Sequence, residues 1–101
     1  MNWNNKNADQ LFEAILQLET KAEARRFFRD LLTEEELVEF GNRWLTARLL
    51  SKGVSYVKIA AQTHLSSTTI ARVSKWLRNG MNGYTLVLNR ISHHHNSFPA
   101  G

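Results

Sequence analysis

Residues 59–73, Ile59-Ala60-Ala61-Gln62-Thr63-His64-Leu65-Ser66-Ser67-Thr68-Thr69-Ile70-Ala71-Arg72-Val73, constrain the fold of this chain more than any other stretch. They read as a short helix, a tight turn and a second helix. Two helices that cross steeply need a small residue where their axes come closest, and Ala60 supplies it, flanked by Ile59 and Thr63. Leu65 is an apolar plug for the turn. Ile70 and Val73, three apart, give the second helix an inner face. The turn wants a positive φ, which glycine usually provides. Here the position falls on His64, a residue type enriched there among non-glycines.

Helical signals extend over the rest of the chain, and strand signals are nearly absent. Residues 8–19 put Leu11, Phe12, Ile15, Leu16 and Leu18 on one broad face, with Asn7 as the expected cap. Thr20 and Glu23 form a capping box for a second helix carrying Ala24, Phe27, Phe28, Leu31 and Leu32. Thr33 and Glu36 form another for a third helix, whose Glu34, Glu35 and Glu36 complement its dipole. That helix is expected to end at Lys52 and Gly53. Ser55 caps a fourth helix over 56–63 and Ser66 a fifth over 67–79. A sixth element, 84–91, fits a helix, although its Thr and Val also permit a strand. The expected architecture is all-α, about six helices in a single domain over 8–91, with the helix-turn-helix at 56–75 and a flexible tail at 92–101.

Charge separates the chain into halves. All nine acidic residues lie between Asp9 and Glu39, and eight of the thirteen basic residues follow them. Arg43, Arg48, Lys52, Lys58, Arg72, Lys75, Arg78 and Arg90 therefore share a stretch with no carboxylate side chain. Such asymmetry favours a polyanionic partner. On the second helix of the motif, the face opposite Ile70 and Val73 is Ser67, Thr68, Ala71, Arg72 and Lys75. Short hydroxyl side chains let a helix sit deep in the major groove, and Arg72 can read guanine bidentately. Lys58, Ser66 and Lys75 are placed for phosphates, which fix register without reading sequence. Double-stranded DNA is the partner this pattern predicts. The rival reading is a protein-interaction module whose basic face meets an acidic protein.

Other chemistries have little support. The chain has no cysteine, so neither a disulfide framework nor a thiolate metal site is possible. His93, His94 and His95 are consecutive rather than one helical turn apart, so no metal site is expected. No Gly-rich phosphate loop is present, and no acid in the second half could orient a histidine, so the chain does not read as an enzyme. Trp3, Trp44 and Trp76 are not interleaved with basic residues as a single-strand stacking platform would be. Trp44 is expected in the core or a dimer seam, and Trp76 to pack inward. No apolar run approaches the ~18 residues of a membrane span, and Met1–Asn7 lacks a signal-peptide core, so the expected location is the cytoplasm. A chain of 101 residues buries only about 60–65% of its unfolded surface as a monomer, so one this rich in aromatics is expected to complete its core by dimerising.

The order of several short runs resembles the Trp repressor superfamily. These are Leu31-Leu32-Thr33-Glu34-Glu35-Glu36, Gly41-Asn42-Arg43 and Leu49-Leu50-Ser51-Lys52-Gly53-Val54-Ser55. Asp9-Gln10-Leu11-Phe12, Arg26-Phe27-Phe28, Ala47-Arg48-Leu49-Leu50 and Thr69-Ile70-Ala71-Arg72-Val73 are similar to its YerC/YecD branch. The likeness covers residues 9–91. It implies a bacterial transcriptional regulator, most often a repressor, built as an intertwined homodimer whose two reading heads enter successive major grooves. It also implies an effector pocket in which Thr33 helps hold a ligand carboxylate while Arg43 and Arg72 sandwich an indole ring. The tryptophan-sensing members have a glycine after the second arginine. This chain has Val73, whose two methyls would occupy that space, so no cofactor, tryptophan included, is expected.

Overall fold

The computed structural model describes residues 5–97, with side chains as far as His93. Residues 1–4, Trp3 among them, lie outside the described residues. Six helices follow one another with no strand among the described residues: α1 (Lys6–Ile15), α2 (Lys21–Leu31), α3 (Glu34–Ser51), α4 (Tyr56–Thr63), α5 (Ser67–Asn79) and α6 (Gly83–Ser97). The chain divides into two units, the first ending at Val38 and the second beginning at Glu39, so that α3 runs from one into the other.

The first unit departs from the sequence reading at its start. The side chain of Asn5, not Asn7, accepts hydrogen bonds from the Asn7 and Ala8 N–H groups, so α1 begins two residues earlier than expected. It ends at Ile15, and the chain turns at Leu16 and Gln17 through bonds to Phe12 and Ala14. The expected single broad face is two faces. Leu11, Ile15 and Leu18 are half-buried, whereas Phe12 and Leu16 stand 46% and 80% exposed. The capping box at α2 forms, with Thr20 Oγ1 accepting from the Glu23 N–H at 3.1 Å. The Glu23 carboxylate reaches back one residue further, to the Glu19 N–H. Neither α1 nor α2 contains a fully buried residue.

The box at α3 closes reciprocally. The Glu36 N–H donates to Thr33 Oγ1 at 3.1 Å, and the Thr33 N–H donates to Glu36 Oε1 at 2.9 Å. That donation, followed by the Thr33 side-chain bond, holds the Glu36 carboxyl below its ordinary range. At the other end of α3 the chain stops as the glycine predicts. Gly53 sits at φ +80°, with Gly53 N–H bonded to Leu50 and Val54 N–H to Leu49. This paired closure satisfies the last carbonyls of the helix.

The second unit holds the described core: Thr46, Ala47, Ile59, Thr63, Ile70, Val73 and Ser74. α4 packs on α5 and α5 on α6. From α3, the Asn42 amide donates to the Thr63 carbonyl at 3.3 Å, which ties the end of α4 to α3. Trp44 stacks on Tyr84 of α6 with ring centroids 6.3 Å apart, consistent with its expected inward role. The buried Thr46 and Thr63 hydroxyls donate to Asn42 and Ile59 carbonyls, both at 2.8 Å, so neither is buried unpaired. The sixth element is a helix, and it extends through Ser97. The segment expected as a tail from 92 is thus helical over its first part, since nothing in Ser92–Ser97 breaks a helix. Residues 98–101 lie outside the described residues. Gly80 closes α5 because a Cβ there would stand 2.4 Å from the Trp76 carbonyl oxygen.

Candidate nucleic-acid interface

The helix-turn-helix is set by short-range chemistry. Ser55 caps α4 by accepting from the Lys58 N–H at 3.3 Å, and Ser66 caps α5 by accepting from the Thr69 N–H at 3.1 Å. His64 ends α4 at φ +59°, in the left-handed region, with its N–H on the Ala60 carbonyl at 2.8 Å. The Leu65 N–H then donates to Thr63 Oγ1 at 3.2 Å. Two consecutive turn N–H groups therefore have partners, which spares the short connection the cost of orphaned donors. Ile59 and Ile70 are wholly buried and Val73 is 3% exposed. Ala60 and Leu65, the expected contact and plug, are half-buried. Truncating a fully buried isoleucine costs about 2–5 kcal/mol, so these few side chains are enough to fix α4 against α5.

Fixing the inner face fixes the outer one. With Ile70, Val73 and Ser74 buried, Ser67, Thr68, Ala71, Arg72 and Lys75 are all exposed on α5. Thr68, Arg72 and Lys75 follow at i, i+4 and i+7, and form a stripe along the helix. Asn79, exposed at the next step, lies on the same stripe. It is absent from the sequence-derived set, and the same periodicity carried one more turn would have included it. Lys58 is exposed on the first turn of α4. Ser66 is committed to capping, and its hydroxyl also pairs with Thr69 Oγ1 at 3.1 Å. It thereby orders the helix N-terminus, where first-turn N–H groups and the dipole favour an anion.

Trp76 does not pack inward. It is 49% exposed, and the Lys75 ammonium lies 5.5 Å from its ring centroid. An apolar residue three after Val73 reads as inner by spacing, but its step around the helix carries it to the flank. A cation over an exposed indole is worth only about 0.5–1 kcal/mol, so the contact leaves the exposed Lys75 ammonium open to other partners.

The field over this surface is almost unopposed. Glu39 is the single acidic residue of the second unit, against eight basic ones. It is already paired with Arg43 at 3.2 Å, the one ion pair among the described residues. Lys58, Arg72, Lys75 and Arg78 are thus without acidic partners among those residues. No group of His, Asp or Glu that could hold a metal occurs there either.

Thr33, Arg43 and Arg72, the set suggested for an effector, have the following local settings. Thr33 belongs to the first unit and is fully engaged in the α3 capping box. Arg43 and Arg72 belong to the second. Arg43 reaches Glu39 and stands 5.8 Å over the Phe40 ring, with its buried Nε lacking an acceptor. Arg72 is exposed on the outer face of α5, and Val73 beside it is a core residue.

The family model for the Trp repressor protein matches residues 6–92. The uncharacterized protein YerC of Bacillus subtilis (strain 168) is 41% identical over 86 residues, which span 85% of this chain and 83% of YerC. The crystal structure of a TrpR-like protein from Eubacterium eligens ATCC 27750 superposes with a TM-score of 0.83 at 36% identity, covering 88% of this chain and 92% of that one.

Proposed function

The chain belongs to the Trp repressor protein family, and from that premise we propose that it is a cytoplasmic, sequence-specific DNA-binding transcriptional regulator. It acts as a homodimer, and it represses by occupying an operator. The observation that carries the reading is the face of α5. Thr68, Ala71, Arg72 and Lys75 project outward from a helix pinned by Ile70 and Val73, in a unit with one acidic residue. The N-terminal end of α5 enters the major groove. Ser67 and Thr68 bond base edges directly or through water, and Ala71 packs against a thymine methyl. Arg72 grips guanine O6 and N7. Lys58, Lys75 and the capped N-terminus at Ser66 hold phosphates and set the register.

The same premise bears on the effector. Val73 fills core space next to Arg72, and Thr33 and Arg43 each have local partners. These features support a reading head that tryptophan does not switch. Isothermal titration should give no tryptophan binding at micromolar concentration, and a clear isotherm there would reverse the reading.

The deciding experiment is selection from random double-stranded DNA with the purified chain and no added ligand, followed by a salt titration. A short enriched motif, repeated at a spacing of about one helical turn, is the expected result. Affinity for it should fall linearly in log–log form with salt. Enrichment of nothing, together with tight capture of acidic proteins, would instead favour a protein-interaction module.

A further inference from the structure

The polar side of α2 divides into two stripes of different chemistry. Lys21, Arg25 and Arg29 follow at i, i+4 and i+8, and all three are exposed. Four residues rise about 6 Å along a helix, so the three charges form a row about 12 Å long. Ala22, small and exposed, borders the row on one side, and the half-buried Phe28 borders it on the other. Nothing bulky therefore stands up beside it. Glu23 and Asp30 lie on the opposite side of the helix, together with Arg26. Arg26 has a carboxylate at i−3 and another at i+4, and lines a hollow of about 390 Å³ with both.

The row has no such neighbours. No residue three or four positions from Lys21, Arg25 or Arg29 carries a carboxylate. None of the three forms an ion pair among the described residues. This holds in a unit where eight acidic residues outnumber five basic ones. Like charges at i, i+4 oppose a helix. Lys21 is also the first residue of α2, where the dipole disfavours a cation. The helix thus carries the row against its own local electrostatics, and an outside counter-charge would relieve it. A DNA strand supplies such a charge. Its phosphates repeat at a regular interval, and Lys and Arg hold them without reading sequence.

We propose that Lys21, Arg25 and Arg29 of α2 hold phosphates of the duplex outside the motif read by α5. The inference rests on the DNA-binding reading and adds a second contact surface, carried by the otherwise acidic first unit. This surface contributes affinity and salt dependence but no base preference. It makes the length of the DNA, and not only its sequence, a determinant of binding.

A triple variant combining Lys21→Gln, Arg25→Gln and Arg29→Gln tests this by fluorescence anisotropy on two duplexes. One is limited to the selected motif, and the other extends it by about ten base pairs, one helical turn, at each end. The three positions are exposed and the changes remove like-charge pairs, so the unfolding midpoint should not fall. On the long duplex the salt slope should drop by about 0.9 for each charge removed. Raising salt from about 50 to about 200 mM should then cost the wild type roughly fortyfold more affinity than the triple variant. On the short duplex the two proteins should bind alike, and the selected motif should be the same for both. Arg25→Gln alone should lower the long-duplex slope by about 0.9, whereas Arg26→Gln, off the row, should leave it unchanged. A wild type that selects no motif and binds neither duplex would remove the DNA reading and this inference with it. A wild type that binds its motif, beside a triple variant with the same slope on the long duplex, would overturn this inference alone. Equal losses for Arg25→Gln and Arg26→Gln would also overturn it, because net charge rather than the row would then be at work. So would a triple variant weakened equally on both duplexes, which would put the contacts inside the motif.

Discussion

The helix pairs α1–α2 and α4–α5 are both amphipathic and both capped by short polar side chains, yet they end in opposite states. Nothing in α1 or α2 is buried, whereas α4 and α5 bury Ile59, Thr63, Ile70, Val73 and Ser74. The difference lies in side-chain size. The α4–α5 pair buries Ile59, Thr63, Ile70, Val73 and Ser74, small or branched side chains that let two short helices close and exclude water. The first pair brings Phe12, Leu16, Phe27, Phe28 and Leu31, which need more cover than two helices of this length can give. A region that carries its own core can present a rigid face to DNA. A region that does not is material for an interface between copies.

The sharpest way to break this comparison is to truncate one apolar residue in each region. Ile70→Ala should cost about 2–5 kcal/mol at any protein concentration, because it leaves a cavity in a complete core. Leu16→Ala should change the stability of dilute monomer by no more than about 0.5 kcal/mol, and its effect should grow with concentration as dimer forms. Thermal unfolding over a hundredfold dilution series separates the two. Equal, concentration-independent losses would mean the first unit is as self-sufficient as the second.

That contrast also explains what was legible in the sequence. The geometry of the helix-turn-helix was legible nearly to the residue, because caps, the left-handed His64 and the three-residue apolar spacing are local decisions. The α3 ends were legible for the same reason: Thr33 with Glu36 at one, Gly53 at the other. The first helix was not. Its apolar residues continue past Ile15 and no glycine or proline marks the turn, so periodicity alone overran it and merged its two faces. Asn5 and Asn7 are equally good caps by type, and the geometry selected Asn5. Trp76 and the length of α6 were missed because an aromatic at the edge of a face, and a polar helix end, are settled by neighbours distant in sequence.

Substitutions on the reading face test whether its rigidity is used. Arg72→Ala should lose about 1–3 kcal/mol of discrimination at one base position. Lys58→Ala and Lys75→Ala should weaken all sequences alike and reduce the salt slope by about 1 each. Trp76→Ala should act as a mild version of Lys75→Ala, since the ring only holds the ammonium in place. Competition binding on the selected motif and its single-base variants would show this. A uniform loss for Arg72→Ala would move that side chain from base reading to phosphate holding.

The caps give a smaller, cleaner contrast. Ser66→Ala should cost about 1 kcal/mol, as N-cap losses do, and should loosen the N-terminal end of α5, which we propose meets DNA. Its weakening of DNA affinity should therefore exceed that of Thr20→Ala, which caps α2 by the same bond. Equal effects on binding would mean that order at the α5 N-terminus is not what the DNA requires.

The last contrast is in pH. The cap of α5 is a hydroxyl, but that of α3 includes the Glu36 carboxylate, held below its ordinary value of 4.5 first by the Thr33 N–H and then by the Thr33 hydroxyl contact. A carboxyl depressed in the folded state lends stability that is fully present above its ordinary value and is lost as pH falls through the lowered one. The effect is small because the group is exposed and solvent screens it. The Thr33 amide nitrogen should therefore titrate by NMR with a midpoint below 4.5, and Glu36→Gln should abolish the step. The Thr69 amide, bonded to the neutral Ser66 hydroxyl at 3.1 Å, should stay flat over the same range. A midpoint above 4.5 at Thr33 would mean the carboxylate is not the acceptor there, and a matching step at Thr69 would mean that acid loosens both regions together rather than the α3 cap alone.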